Sequence, residues 1–200
     1  MNSLLGICLL GALLELDTTY VFQFTLSRGI IAGPLLGLMC GNVLAGLQVG
    51  IFTELLFLDM HPLGGLLPPS SVICCAVCMA IHLSGIPIYF AFFFGVLGAI
   101  LFSLGEIYMR KYRSFWLARR ERRLTRHPSY IGRTVWYVLV MGFIMTFSFL
   151  SVYSSAASFV LSSLLPSIPE SMHLAGEFAY MAVPWIGFAT LISTFRLKPR

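Results

Sequence analysis

Charged side chains are scarce in this chain. Asp, Glu, Lys and Arg make up 10% of its 200 residues, whereas soluble domains carry about 25%. Hydrophobic residues make up 58%, and they come in long runs that do not alternate with polar residues. Such runs are typical of helices whose solvent is lipid. The composition therefore excludes an ordinary soluble domain and predicts an all-α polytopic membrane protein.

The motifs of soluble enzymes are missing as well. The sequence has no phosphate loop, no dinucleotide fingerprint, no His-Glu-x-x-His and no Gly-x-Ser-x-Gly. Cys75-x-x-Cys78 has no second pair at metal-binding spacing, and the pair Asp59 and His61 has no third ligand. All cysteines lie in apolar runs, which favours reduced packing residues: Cys8, Cys40, Cys74, Cys75 and Cys78. We expect no metal, no cofactor and no catalysis by this chain alone.

Cations are absent from most of the chain and crowded into one segment. Nine of the 13 Lys and Arg residues lie between Arg110 and Arg133. Short basic loops between apolar runs orient membrane proteins with that loop in the cytoplasm. We therefore expect a cytoplasmic loop over 110–133, with its amphipathic part along the membrane surface, and no nucleic-acid binding.

Two other segments fit the same orientation, and the first residues of the chain are interpreted separately. Residues 1–14 have no cationic start and no cleavage site, so they are interpreted as a retained membrane segment. The connection Pro166–Glu177 carries Glu but no Lys or Arg, which predicts an outer position. The chain end is basic, which predicts a cytoplasmic position for Arg196, Lys198 and Arg200.

Apolar segments of two lengths divide the chain. Full spans need about 20 residues, and three segments are interpreted as spans: Ile86–Met109, Val135–Leu161 and the shorter Phe178–Phe195. The first half instead has segments of 11 to 16 residues: Ile30–Cys40, Val43–Leu58 and Ser71–Leu83. Gly and Pro separate them, which predicts short broken or re-entrant helices. One membrane domain, 1–200, thus has a broken-helix region 1–109, the basic loop 110–133 and C-terminal helices 134–200.

Acidic residues beside apolar runs point to a site in the first half of the chain. Four occur in the first 60 residues: Glu15, Asp17, Glu54 and Asp59. Ionisable groups at membrane depth are costly and mark pathways or binding sites by default. Glu54 is the strongest candidate, and the alternative is a structural pair with Arg28. Asp17 and Gln23 flank a polar cluster, and the alternative there is an ordinary loop.

Two stretches resemble the IIC permease subunits of the mannose/fructose/sorbose family of the bacterial phosphotransferase system. Residues 23–42 read QFTLSRGIIAGPLLGLMCGN, similar to the family's Q-F-x-x-S-R-P-x-x-A-G-P-L-x-G-x-x-x-G-D. Residues 46–58 read GLQVGIFTELLFL, similar to G-x-x-x-G-x-x-x-E-L-x-x-L, and family-like prolines follow. A weaker match begins at Pro184, where PWIGFA is similar to P-x-x-G-F-A.

The resemblance implies a sugar permease subunit in the bacterial inner membrane. It implies a IID membrane partner, soluble IIA and IIB phosphotransfer proteins and an oligomeric complex. Carried over by position, the residues that help to bind the sugar are Asp17, Gln23, Glu54, Asp59 and His61. Those expected to shape the site are Arg28, Gly33, Pro34, Pro62, Gly64, Pro68 and Pro69.

The chain departs from the family pattern at several places. Ser70 stands where the family has Asp, Asn42 replaces a second Asp, and Gly29 replaces Pro. The chain also ends at Arg200, before a final hydrophobic stretch that is expected in the family. Two alternatives therefore stay open: a regulatory membrane protein without transport, and a membrane enzyme that uses Glu54, Asp59 and His61.

Overall fold

The described chain is a bundle of helices. The computed structural model describes residues 2–19, 24–58, 60, 67–126 and 129–196, and it contains no strand within them. Seven α-helices follow one another: α1 Asn2–Thr19, α2 Gly29–Met39, α3 Val43–Phe57, α4 Ser71–His82, α5 Ile88–Arg126, α6 Ser129–Leu164 and α7 Glu170–Arg196. A short 3-10 turn, Leu165–Ser167, joins α6 to α7.

Helix lengths confirm the predicted fold class. Stretches of α5, α6 and α7 are long and apolar enough to cross a membrane: Ile88–Arg119, Ile131–Ser167 and Glu170–Ser193. Helices α2, α3 and α4 have 11, 15 and 12 residues. At 1.5 Å per residue they measure about 16 to 23 Å, less than the roughly 30 Å of a hydrocarbon core. Full-length and half-length helices are therefore combined in one bundle.

The start of the basic segment differs from the prediction. Residues 110–126 continue α5 as one helix of 39 residues, and do not form a separate helix that could lie along a surface. No Gly or Pro occurs between Glu106 and Arg126 to interrupt the helix. At 1.5 Å per residue α5 is about 58 Å long, so it extends well past an apolar core of roughly 30 Å.

A tight turn joins α2 to α3. Gly41 has a positive φ of +73°, a conformation that glycine adopts without steric cost. The amide of Asn42 donates to the carbonyl of Gly37 at 2.9 Å, which closes the end of α2. The Asn42 side chain then accepts from the amide of Ala45 at 3.1 Å and caps α3. Asn42 is therefore the N-cap of α3, not the C-cap of α2 that its position after a glycine suggests.

Glycine faces hold α2 and α3 unusually close. A methyl group on Gly33 would collide with the carbonyl oxygen of Gly46 and lie 3.0 Å from the Cα of Gly50. Gly37 faces Gly46 in the same way, and a methyl group on Gly29 would lie 2.9 Å from the carbonyl oxygen of Gly50. Small residues spaced by four allow backbones of membrane helices to approach in this way. The predicted structural role of Gly33 is thus a helix–helix contact.

Helix α4 forms the centre of the bundle. Every residue from Val72 to Ile81 is buried, and α1, α2, α3, α5 and α6 all contact this helix. A helix that is apolar on all sides belongs in the interior of a protein. Helix α7 packs outside it against α3 and α5, where Gly187 meets Leu55 and the Tyr180 ring meets those of Phe52 and Phe92.

The close contact between α2 and α3 predicts a strong effect of a single methyl group. We expect Gly33→Ala to destabilise the protein by about 1–3 kcal/mol or more, because the backbone of α3 blocks the added carbon. The matched control is Gly132→Ala on α6, where no atom lies within 4 Å of the new carbon. Thermal unfolding in detergent measures both, and equal midpoints for the two variants would contradict the packing described.

Candidate functional site

A cavity lined by both polar and apolar side chains lies between the ends of the short helices and the long helices α5 and α6. Its volume is about 540 Å³, within the roughly 300–1,000 Å³ of small-molecule sites. Its apolar lining is Phe57, Leu58, Met60, Leu67, Pro68, Pro69 and Phe102. Its polar lining is Glu15, Thr18, Ser27, Arg28, Glu54, Ser70, Ser71, Ser103, Glu106, Arg110 and Thr146.

The cavity lies at the end of the bundle that carries the basic segment. Four residues of α5 line it: Phe102, Ser103, Glu106 and Arg110. They follow α5 from its apolar part toward the first of the clustered cations. A ligand in this cavity would thus lie near the end of the bundle that carries the basic segment.

Glu54 lies on α3 and caps the start of the neighbouring short helix α2. Its Oε1 accepts from the backbone amide of Gly29 at 2.6 Å, at the start of α2. Its Oε2 pairs with Nη1 of Arg28 at 3.3 Å. The pairing that the sequence offered as an alternative therefore exists, yet both side chains also line the cavity. With 22% of the Glu54 side chain and 67% of the Arg28 side chain exposed, the pair is accessible to a ligand.

Glu15 and Ser70 form a second polar contact in the cavity. The Ser70 hydroxyl donates to Oε2 of Glu15 at 2.5 Å. The same oxygen of Ser70 accepts from the amide of Ile73 at 3.4 Å and so caps α4. Ser70 therefore supplies the cap that an Asp would supply, and also a hydrogen-bond donor that an ionised Asp lacks.

Asp17 lies near the cavity and organises backbone. Its two carboxylate oxygens accept from the amides of Phe24 at 3.0 Å and Ser27 at 3.3 Å. The residue is buried and is not part of the cavity lining. Its contacts thus order the turn that leads into α2, and its binding role stays a prediction.

Glu106 is the third carboxylate in the cavity lining, after Glu15 and Glu54. It is not among the site residues that the sequence predicted. Oε1 of Glu106 accepts from Nη2 of Arg113 at 2.5 Å and from Nε of Arg110 at 3.3 Å. The signal was present in the sequence, because Glu106 is an acidic residue inside the apolar run that ends at Met109.

The remaining predicted site residues divide into two groups. Pro68 and Pro69 line the cavity directly before α4, while Pro34 lies inside α2, away from the lining. Five predicted residues lie outside the described part of the chain: Gln23, Asp59, His61, Pro62 and Gly64. Their predicted roles stay predictions.

Comparison with known proteins shows to which family the chain belongs. The sequence matches, over residues 2–199, the family described as the sorbose-specific IIC component of the phosphotransferase system. The chain belongs to this family. It is therefore a membrane-embedded component of a sugar-transporting phosphotransferase system, as the sequence motifs predicted.

A solved structure supports the fold of the IIC component. The chain is similar to a protein described as "Structure of membrane protein", with a TM-score of 0.76 and 16% identity. The match covers 98% of the IIC component and 78% of the other chain. No curated protein matches the sequence.

The chemistry of the cavity suits a ligand rich in hydroxyl groups. Carboxylates accept hydrogen bonds from hydroxyls, while serine, threonine and arginine can donate to hydroxyl oxygens. Among the residues that the structure describes, no three His, Cys, Asp or Glu side chains are grouped as metal ligands. The described part of the site thus offers both donors and acceptors of hydrogen bonds to a polar molecule.

The contact between Glu15 and Ser70 gives a prediction for the residue at position 70. We expect Ser70→Asp to destabilise the IIC component by about 1–3 kcal/mol, because the hydroxyl donor to Glu15 is replaced by a second carboxyl group and the two could not both stay ionised at that distance. Glu15→Gln alone should be nearly neutral, since the glutamine carbonyl still accepts from Ser70.

The double variant is the control. Ser70→Asp with Glu15→Gln should recover most of the loss, because the glutamine amide can donate to the new carboxylate. Thermal unfolding of the four proteins in detergent measures the coupling. A double variant no more stable than Ser70→Asp alone would show that the two side chains do not interact.

Proposed function

We propose that the IIC component translocates a hexose of the mannose/fructose/sorbose type, and that the cavity is its sugar site. The observation that carries the proposal is the position of Glu54. This carboxylate lies on α3 in the family-like sequence block and lines the cavity beside Arg28. Membership in a family of sugar-transporting components supports the same substrate class.

Recognition would rest on paired polar groups. Glu54 and Glu15 would accept from sugar hydroxyls, and Arg28, which pairs with Glu54, would donate to the sugar. Such a site discriminates strongly, because a sugar that lacks one hydroxyl leaves a buried polar group without a partner. Apolar side chains such as Phe57 and Phe102 cover the rest of the wall.

The proposal also gives a role to four other residues that the sequence predicted: Asp17, Gln23, Asp59 and His61. Gln23, Asp59 and His61 lie outside the described residues, so their proposed contact with the sugar rests on the sequence alone. Asp17 would act through the turn at 24–27, which it orders by two hydrogen bonds. Of these four, Asp17 is thus proposed as a positioning residue.

The basic end of the bundle would face the cytoplasm of a bacterial cell, with the protein in the inner membrane. Sugar would enter from outside, reach the cavity and be phosphorylated at the cytoplasmic side by IIA and IIB proteins. A IID-type subunit would complete the transport path in an oligomeric complex. This proposal for partners rests on the family to which the chain belongs.

Replacing Glu54 tests the assignment. We expect Glu54→Gln to abolish uptake of the transported hexose while the protein still inserts into the membrane. The glutamine carbonyl can still accept from the Gly29 amide, so the cap on α2 is kept. The negative charge beside Arg28 is lost. Uptake of labelled mannose, fructose and sorbose is measured in a strain that lacks the gene and is complemented with either form.

The matched control is Glu170→Gln, which removes an exposed carboxylate at the start of α7, away from the cavity lining. Uptake by Glu170→Gln should equal that of the wild type. Equal uptake by Glu54→Gln and wild type would reject the site. No difference between the deletion strain and the wild type for any hexose would reject transport and favour a regulatory protein.

A further inference from the structure

The three carboxyl groups in the cavity lining differ in their partners. Glu54 pairs with the guanidinium of Arg28 at 3.3 Å. Glu106 accepts from two arginines of its own helix, at 2.5 and 3.3 Å. The carboxyl group of Glu15 belongs to no ion pair among the residues that the structure describes. It is therefore the one carboxyl of the described lining that no cation contacts.

A single hydrogen bond holds the Glu15 carboxyl group in the described part of the chain. The Ser70 hydroxyl donates to its Oε2 at 2.5 Å, while the oxygen of Ser70 accepts from the amide of Ile73. Because Ser70 gives its only proton to Oε2, Oε2 has its donor. The other oxygen, Oε1, has no hydrogen-bond partner among the described residues, and Glu15 lines the cavity. Oε1 is thus left for a ligand.

The other helices around the cavity do not supply the missing cation. The charged side chains that they add to the lining are Arg28, Glu54, Glu106 and Arg110. Both arginines are already ion-pair partners of the two glutamates. Helices α4 and α6, which contact α1, and the residue before α4 add only uncharged polar groups, those of Ser70, Ser71 and Thr146. Two positive charges therefore face three carboxyl groups in the described lining.

This imbalance bears on the charge of Glu15. An opposite charge within about 4–6 Å favours the ionised form of a carboxyl group, whereas burial and a like charge disfavour it. Glu54 and Glu106 have an opposite charge in contact, and Glu15 has two other carboxyl groups in the same cavity instead. A half-buried carboxyl group without a cation becomes neutral at a lower cost than it stays charged. Different partners thus give carboxyl groups of one site different charge states.

We propose that Glu15 is protonated on Oε1 and that this O–H group donates a hydrogen bond to the sugar in the cavity. The inference rests on the proposed function, because the sugar site is the same cavity. Glu54, ionised beside Arg28, accepts from sugar hydroxyls, whereas the neutral Glu15 both donates and accepts. A sugar without an oxygen opposite Glu15 leaves that O–H group unpaired and binds more weakly.

Infrared spectroscopy of the full-length protein in phosphatidylcholine nanodiscs tests the protonation state. A protonated carboxyl group has a C=O stretching band that a carboxylate lacks, and heavy water shifts this band but not the ester bands of the lipid. We expect such a band in the wild type and its loss in Glu15→Gln. The control Glu170→Gln, which removes an exposed carboxyl group at the start of α7, should keep the band.

The same band reports the contact with the sugar. Mannose, fructose and sorbose are added in turn to the wild type, and the hexose that binds should shift the band, because the O–H group then donates to it. This measurement needs no variant, so it decides the question even where a substitution at position 15 prevents folding.

Calorimetry with the same hexoses compares two substitutions of Glu15. We expect Glu15→Leu to bind the transported hexose roughly tenfold more weakly than Glu15→Gln, which corresponds to about one hydrogen bond. The glutamine amide keeps a donor and an acceptor in place of the neutral carboxyl group, whereas leucine has neither. An ionised Glu15 predicts instead an equal loss of affinity in both variants, because both remove the same charge.

Three results would overturn the proposal. Identical infrared spectra for the wild type and Glu15→Gln would show that Glu15 is ionised. A band that does not move when a hexose binds would show a protonated group that does not contact the sugar. Equal affinities of Glu15→Leu and Glu15→Gln would show that no donor is needed at this position. In each case, hexose binding by the wild type would leave the proposed transport function standing, whereas wild-type protein that binds no hexose would reject both.

Discussion

The capping of the short helices is the constraint on which the rest of this structure depends. Short helices within a membrane-sized bundle leave amides that must find partners inside the protein. Glu54 serves the amide of Gly29 at the start of α2, and Ser70 serves that of Ile73 in the first turn of α4. Both side chains also line the cavity. Polar groups needed to complete the fold are thereby concentrated at the cavity proposed as the sugar site.

The position of Glu54 depends in turn on how closely α2 and α3 approach. Gly33 and Gly46 bring the two backbones together, and Gly29 faces Gly50 one turn further along. Glu54 follows Gly50 by one turn of α3, so its carboxylate reaches the amide of Gly29. A wider separation of the helices would remove this hydrogen bond. Packing of small residues thus places the carboxylate that the proposed sugar site requires.

The hydrogen bonds of Ser70 explain in physical terms how serine can stand where the family has Asp. Serine still caps α4, and its hydroxyl also donates to Glu15. A carboxyl group at position 70 would face that of Glu15, and the two could not both stay ionised at that distance. Serine at position 70 therefore still makes hydrogen bonds in the site. It replaces one acidic acceptor by a donor, which alters the hydrogen bonds available in the proposed sugar site.

The sequence by itself determined the half-length helices closely: predicted segments 30–40, 43–58 and 71–83 became 29–39, 43–57 and 71–82. Apolar length and the Gly and Pro breaks are local properties, so neighbouring residues reveal them. The sequence also identified Glu54 and its alternative partner Arg28. Only the tertiary structure joined Glu15 to Ser70, which lies 55 positions away, and brought Glu106 and Arg110 to the same cavity. Such contacts depend on how helices pack across the bundle, and two residues far apart in the sequence give no local sign that they meet.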